Sequence, residues 1–305
     1  QVVLFDRYNY HTFQPLLYQV ATAGLEPDAI AGPLRQMIGK RKDWHFRMLR
    51  VDRIDPQLQE IQSAAGKLHF DHLVIATGSK MNYFNNESIA KNAYPVKQIT
   101  HALDLRHTIF QQFERLELMA GNDDDNQGNL NFVVAGAGPT GVEVCGALAE
   151  LRKHVLPNDY PDLDISRMQI YLVEGLGQVL PSMSKASGKK AQQYLESFGV
   201  KVILDCLTES YDGRVVQLSN GDKIITNTLI WAAGVKPNMP DGIPGEFTGK
   251  KGFRVNHYNQ VCNENGTSVL KNIFVIGDSA FMQTEKYEQG LPGLAPVAIQ
   301  QGKHL

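Results

Sequence analysis

Short apolar runs recur along this chain, and most close on a glycine or a carboxylate. Residues 2–5, 131–135, 168–173, 200–204, 229–231 and 273–276 are such runs, and the stretch 69–76 becomes one from Leu73 onward. Too short for buried helices and flanked by turn residues, they predict strands buried on both faces, as in a parallel sheet. Elsewhere the apolar period changes to three and four. Ile30, Leu34, Met37 and Ile38 share a helical face that Gly39 ends, and Leu103, Ile109, Phe110, Phe113 and Leu116 form another behind Thr100 as cap. Val142, Cys145, Leu148 and Ala149 predict a third helix. Ser184 as cap, Ala191, Tyr194, Leu195 and Phe198 on one face, and Gly199 as stop predict a fourth. Strands that alternate with helices in this way predict an α/β fold.

Smaller pieces fill the gaps. Residues 44–51 and 58–61 alternate like strands of a small antiparallel sheet, and Asn220 followed by Gly221 signals a hairpin between 214–218 and 223–226. Residues 8–26, rich in aromatic and amide side chains, read as a loop with short helical pieces. The polar stretch 121–128 reads as a solvated boundary between domains; its aspartates are consecutive and lack the alternating spacing of a calcium loop.

The chemistry concentrates at the ends of the strands. Gly136-x-Gly138-x-x-Gly141 sits between an apolar strand and a helical pattern, the context that makes this spacing a dinucleotide fingerprint. Gly136 permits the tight turn, Gly138 lets backbone approach a pyrophosphate, and Gly141 lets helix and strand pack closely. Pro139 and Thr140 open the helix, whose free N–H groups face the phosphates. The next strand ends in Glu174, a carboxylate able to accept both hydroxyls of an adenosine ribose and to repel a 2′-phosphate. Its distance from the glycines exceeds the usual spacing of about 20 residues, with 153–167 as inserted material. Asp6 and Asp278 repeat the strand-then-carboxylate pattern, Asp6 either as a ligand or as the start of a turn. Thr77 and Gly78, and Ala233 and Gly234, end two further strands with small residues that let a ligand or another segment come close. These strand ends form two partly similar units, which suggests two dinucleotide sites.

Composition narrows the function classes. The chain has 305 residues, enough for two domains, and a net charge of −2 without a basic run argues against nucleic acid as a partner. No apolar run has the length of a spanning helix, and no signal peptide is expected. Three cysteines, Cys145, Cys206 and Cys262, are far apart and suggest neither zinc nor a redox pair. His69 and His72 lack a nearby third metal ligand and read as solvated strand-end residues. The sequence opens on Gln1 already inside a strand, as an internal part of a longer polypeptide would.

Five islands in order carry a resemblance that covers nearly the whole chain: DRYNYHTFQPLL at 6–17, ATG at 76–78, GAGPTGVE at 136–143, GD at 277–278 and AIQQG at 298–302. The chain resembles the two-dinucleotide-binding flavoproteins and, within them, the type II NADH:quinone oxidoreductases. The resemblance implies two Rossmann-like domains, an NAD(H) domain at 129–245 inserted in a discontinuous FAD domain at 1–121 and 250–305. It implies FAD at Asp6, Thr77, Gly78, Gly277 and Asp278, and NADH at Gly136, Gly138, Pro139, Thr140, Gly141, Glu174, Ala233 and Gly234. It also puts Glu143 near the nicotinamide, where the alternative role is a partner of the helix dipole. Gln300, Gln301 and Ala298 would face a quinone, with helix packing as the alternative for the two glutamines. The implied reaction is a ping-pong transfer from NADH through FAD to quinone without proton pumping. A first FAD fingerprint before Val2 and membrane-associating helices after Leu305 would complete the pattern, placing the protein peripherally on the cytoplasmic face of the cell membrane. The oligomeric state stays open, with a homodimer among its options. Sulfide:quinone oxidoreductase, which needs cysteines beside the flavin, and an NADH-binding sensor without turnover are the competing readings.

Overall fold

The computed structural model describes residues 1–118 and 127–305. The expected polar boundary thus lies mostly outside the described residues, and Gln127–Leu130 at its end is a short helix. The chain packs into two compact units, one of Gln1–His11, Pro33–Met81 and Val235–Leu305, the other of Thr12–Gly32 and Asn82–Gly234. These groupings follow packing, and they divide the chain elsewhere than the segments 1–121, 129–245 and 250–305. Leu17–Ala21 packs on Ile99–Leu118 and Pro139–His154, which draws the early residues into the second unit. Val235–Pro237 pairs with Ser79–Met81, which returns the chain to the first.

The second unit is built on a five-stranded sheet in the order Tyr94–Pro95, Thr228–Trp231, Asn131–Ala135, Gln169–Val173, Val200–Ile203. Every pairing is parallel, with Val133 opposite both Tyr171 and Leu229. All residues of Asn131–Ala135 and of Thr228–Trp231 are buried, which is why these runs show no alternation. Apart from the edge strand Tyr94–Pro95, the chain order across the sheet is 3-2-1-4, the arrangement of a mononucleotide-binding half. Pro139–His154 and Lys185–Ser197 are the crossover helices. Ile99–Leu118 buries Ile99, Ala102, Leu105, Ile109, Phe113 and Leu116. Phe113 stacks on Phe132, ring centroids 6.1 Å apart, and truncating it to Ala would cost about 3–5 kcal/mol. The expected face is thereby corrected: Leu103 is 38% exposed, and Thr100 lies inside the helix. Ser184 does cap its helix, accepting from the Ser187 N–H, and Gly199 follows the stop at φ +74°, but Tyr194 and Phe198 are exposed and Leu195 carries the packing. The hairpin Val215–Leu218 and Lys223–Ile225 forms, with Gly221 at φ +91°, and gains a third strand, Thr208–Tyr211.

The first unit is a set of smaller sheets. Val2–Asp6 pairs in parallel with Trp44–Met48. Leu73–Ile75 runs parallel to Val269–Val275, which pairs antiparallel with Gln260–Cys262. Val51–Asp55, Glu60–Ser63 and Gly66–His69 form the antiparallel sheet, and Thr248–Gly249, Gly252–Arg254 and Ala280–Phe281 form a mixed one. The core between them gathers Ile54, Ile61, Ile75, Phe253, Val261 and Ile273. Three expectations change here. Trp44–Met48 belongs to a parallel pair, because alternation fixes a buried face, that of Phe46, and leaves the partner open. The run 69–76 is divided between two sheets, His69 ending one strand and Leu73 starting another. The helix expected across 30–38 shrinks to Leu34–Ile38, because Pro33 disfavours helical backbone just before it.

Candidate functional site

In the second unit, the end of strand Asn131–Ala135 turns at Gly136, φ +100°, whose N–H donates to the Val173 carbonyl at 2.7 Å. A Cβ at Gly136 would lie 2.5 Å from the Ala233 Cα, and one at Gly141 would lie 1.8 Å from the Gly136 carbonyl oxygen. Two of the three fingerprint glycines are therefore demanded by the fold itself. Gly138 differs: a Cβ there would meet nothing within 4 Å. It is the N-cap of Pro139–His154 and provides no side-chain acceptor, so the first turn presents its N–H groups past a bare backbone. Thr140 lies in that turn. An open cradle with unclaimed donors fits a pyrophosphate.

Glu174 is tied into this cradle. Its Oε2 accepts the Ala137 N–H at 2.7 Å and its Oε1 accepts the Leu176 N–H at 2.9 Å. An ionised carboxylate offers about four acceptor positions, so room remains for hydroxyl donors. On the other side of the central strand, Ala232 donates to the Ala135 carbonyl, 2.8 Å, and the chain continues through Ala233 and Gly234. Glu143 is half-buried on the second turn of the helix, and burial pushes its carboxyl above the ordinary carboxylate range.

The first unit assembles a second cluster from two neighbouring parallel strands. After Leu73–Ile75, Thr77 donates its hydroxyl to the Asn238 carbonyl, and Asn238 returns its N–H to the Gly78 carbonyl at 2.9 Å. Gly78 has φ +64°. After Val269–Val275, Gly277 turns at φ +68° and donates to the Oε1 of Gln301, 2.8 Å. Asp278 accepts the Ser79 hydroxyl at 2.7 Å, and Ala298 lies beneath Gly277, 3.5 Å from where its Cβ would be. A Cβ on Gly293 would come within 3.1 Å of the Asp278 carboxylate, so that loop passes close to the acid. Thr77, Gly78, Gly277, Asp278, Ala298 and Gln301 are thus brought together around polar groups suited to hydroxyl-bearing ligands. Asp6 stands on the separate sheet with Trp44–Met48, its Oδ1 accepting the Tyr8 N–H at 2.8 Å.

The two glutamines part company. Gln301 is 7% exposed, its side chain committed to Gly277 and its carbonyl to Asn259, whereas Gln300 is exposed. Ser79 and Asn238 join this cluster by hydrogen bonds that local motif reading passes over, because their partners lie far away in sequence. All three cysteines are buried and free, and burial holds the Cys145 thiol far above its usual range. Among the described residues no group of His, Cys, Asp and Glu is arranged for a metal ion, and no helix is long and apolar enough to cross a membrane. A cavity of about 500 Å³ lies at the opposite end of the fingerprint helix, lined by Arg152, Lys153, Ser166 and Phe198 among others.

A parallel sheet ordered 3-2-1-4, a glycine cradle at its switch point and an acid on the neighbouring strand define a dinucleotide-binding oxidoreductase fold. The chain belongs to the Pyridine nucleotide-disulphide oxidoreductase family, which it matches over residues 1–302. It is similar to the type II NADH:quinone oxidoreductase NdhA of Mycobacterium tuberculosis, 32% identical over 99% of this chain and 65% of that protein. It is also similar to the type II NADH:quinone oxidoreductase of Haemophilus influenzae, 26% identical over 92% of this chain and 67% of the relative. The chain therefore spans about two thirds of the length of these curated relatives. The structure of NDH2 from Plasmodium falciparum in complex with NADH shares the fold, with a TM-score of 0.84 and 24% identity over 93% of this chain and 60% of that one.

Proposed function

We propose that the full-length protein oxidises NADH and passes the electrons through FAD to a quinone, without moving protons across a membrane. The observation that carries this reading is the junction of Glu174 with the fingerprint turn, a carboxylate fixed at 2.7 Å from the Ala137 N–H beside an open phosphate cradle. In this reading 129–245 binds NADH, while 1–121 and 250–305 hold FAD. When bound, the flavin supplies the chemistry of accepting a hydride from the dihydronicotinamide and releasing electrons to a quinone.

The residues of this chain bind and orient. Gly136, Gly138 and Gly141 with Pro139 and Thr140 seat the pyrophosphate, and Glu174 takes the adenosine ribose and turns away a 2′-phosphate. Asp278, backed by Ser79, together with Thr77, Gly78 and Gly277, offers acceptors and close backbone to the polyhydroxyl chain of the flavin cofactor. Asp6 supplies the corresponding carboxylate on its own strand. Glu143, with its raised pKa, holds a proton to higher pH than an ordinary carboxyl beside the nicotinamide. Gln300, being exposed, is free to orient a quinone oxygen; Gln301 acts through the Gly277 loop. The place of work is the cytoplasmic face of the cell membrane, where a peripheral protein meets its quinone.

The buried, unpaired cysteines favour NADH as donor over sulfide, whose oxidation needs accessible thiols. Steady-state NADH consumption by the purified full-length protein with a water-soluble quinone tests the proposal. Turnover that requires both, and that sulfide does not replace, is expected; NADH binding without turnover would favour a sensor.

A further inference from the structure

Phe84 is a large aromatic side chain that is 62% exposed, yet its backbone sits in the left-handed region at φ +51°, followed by Asn85 at φ +60°. Asparagine tolerates that region, whereas phenylalanine is disfavoured there. The segment is nonetheless held on several sides. Asn82 Oδ1 accepts the Phe84 N–H at 3.0 Å, the Asn82 N–H donates to the Gly234 carbonyl at 3.1 Å, and the Asn82 carbonyl accepts the Trp231 indole N–H at 2.9 Å. Asn86 closes the turn with its N–H on the Tyr83 carbonyl, 2.9 Å, and then caps the helix Glu87–Asn92 through the Ile89 N–H. A strained residue persists where its surroundings over-determine it, and such residues gather at ligand sites.

What this device aims at is Gly234. A Cβ on Gly234 would lie 2.9 Å from the Phe84 Cζ and 3.2 Å from its Cε2, so the ring rests against bare backbone. Gly234 follows Ala233, on which Gly136 packs, so the ring rests on the residue next to the one that backs the fingerprint turn. The sheet order supplies a direction. Glu174, at the end of the strand on one side of Asn131–Ala135, marks the adenosine half of a dinucleotide. The strand on the other side is Thr228–Trp231, leading into 232–234, so the second half extends over that turn.

We propose that Phe84 is a positioning residue that forms the wall of the nucleotide site on its nicotinamide half, its ring packing on the nicotinamide. This rests on the NADH reading above. A planar aromatic amide suits an exposed phenyl ring, which offers edge or face contact and no competing hydrogen bonds. The competing role is a cover for Trp231, whose ring lies edge-on to Phe84 at 6.4 Å.

Calorimetric titration of the full-length protein with NAD⁺ and with ADP-ribose, which lacks the nicotinamide, separates these roles. Phe84→Ala is expected to weaken NAD⁺ by about five- to tenfold and to leave ADP-ribose within about twofold. Phe84→Tyr, which keeps the ring, should restore NAD⁺ affinity, and Phe84→Leu, which keeps the apolar bulk, should weaken NAD⁺ selectively even if the alanine variant fails to fold. Equal loss for both ligands, or loss for neither with only a lower melting temperature, would overturn the proposal. If the unmodified protein binds neither ligand, the NADH reading itself falls, and this inference falls with it.

Discussion

The two units hold their sites by different means. In the second, five parallel strands share one hydrogen-bonded sheet, and the cradle is made of backbone: two glycines, Gly136 and Gly141, that admit no Cβ, and a helix start that follows directly from a strand end. In the first, the strands are dispersed among small sheets, and the site residues are latched by side chains. Thr77 reaches a residue 161 positions away, Ser79 one 199 away, and Gly277 donates its N–H to the Gln301 side chain. A backbone site should fail through steric exclusion, and a latched site through the loss of single hydrogen bonds.

The largest expected effect follows from the glycines. Gly141→Ala forces a Cβ to 1.8 Å from a carbonyl oxygen and should lower stability by about 3 kcal/mol or prevent folding, seen in a denaturant titration. Gly138→Ala, into open space, should leave the midpoint unchanged while weakening NADH binding. If the two variants behave alike, the cradle is not backbone-built.

Next is Glu174→Gln, which removes the charge and one of two backbone acceptors. The ratio of kcat/KM for NADH over NADPH should shrink by about tenfold. An unchanged ratio would leave Glu174 with its structural bonds to Ala137 and Leu176 alone.

The glutamines sharpen the contrast within the first unit. Gln301→Ala strands the half-buried Gly277 N–H and should cost about 1–3 kcal/mol, with flavin released more readily on dilution. Gln300→Ala should spare stability and flavin reduction by NADH and slow only reoxidation by quinone. Identical behaviour in stopped-flow traces would remove the distinction.

The smallest effect concerns Glu143. Burial raises its folded pKa above the ordinary value of 4.5, so the native state binds more protons than the unfolded one above that pH, and stability falls as pH rises through the folded pKa. Glu143→Gln should therefore melt slightly higher than the parent at neutral pH and match it below about pH 4. The reverse order at neutral pH would mean the carboxylate is held as an anion by the helix dipole.

The same contrast explains what the sequence disclosed. The 131–141 cradle and Glu174 were legible because backbone requirements leave local marks: two glycines excluded from any other residue type, and a strand that is apolar throughout. Strand ends at Asp6, Thr77 and Asp278 were legible too, since the apolar runs before them stop there. Ser79 and Asn238 were not, because a hydroxyl or amide carries no sign of a partner more than 150 positions away. Gln301 reads as a surface amide until Gly277 is placed against it. Alternation at 44–48 showed a buried face at Phe46 without revealing that Val2–Asp6 lies alongside. Phe84 was missed for a further reason, as positive φ at a phenylalanine contradicts its own preference and is imposed by Asn82 and Asn86 from outside.

The central claim is that two nucleotide sites act in series, and anaerobic visible absorbance of the full-length protein tests it most directly. A flavin band that bleaches on addition of NADH and returns on addition of a quinone is the predicted result. A protein that shows no flavin band, or one that NADH leaves unchanged, would contradict it.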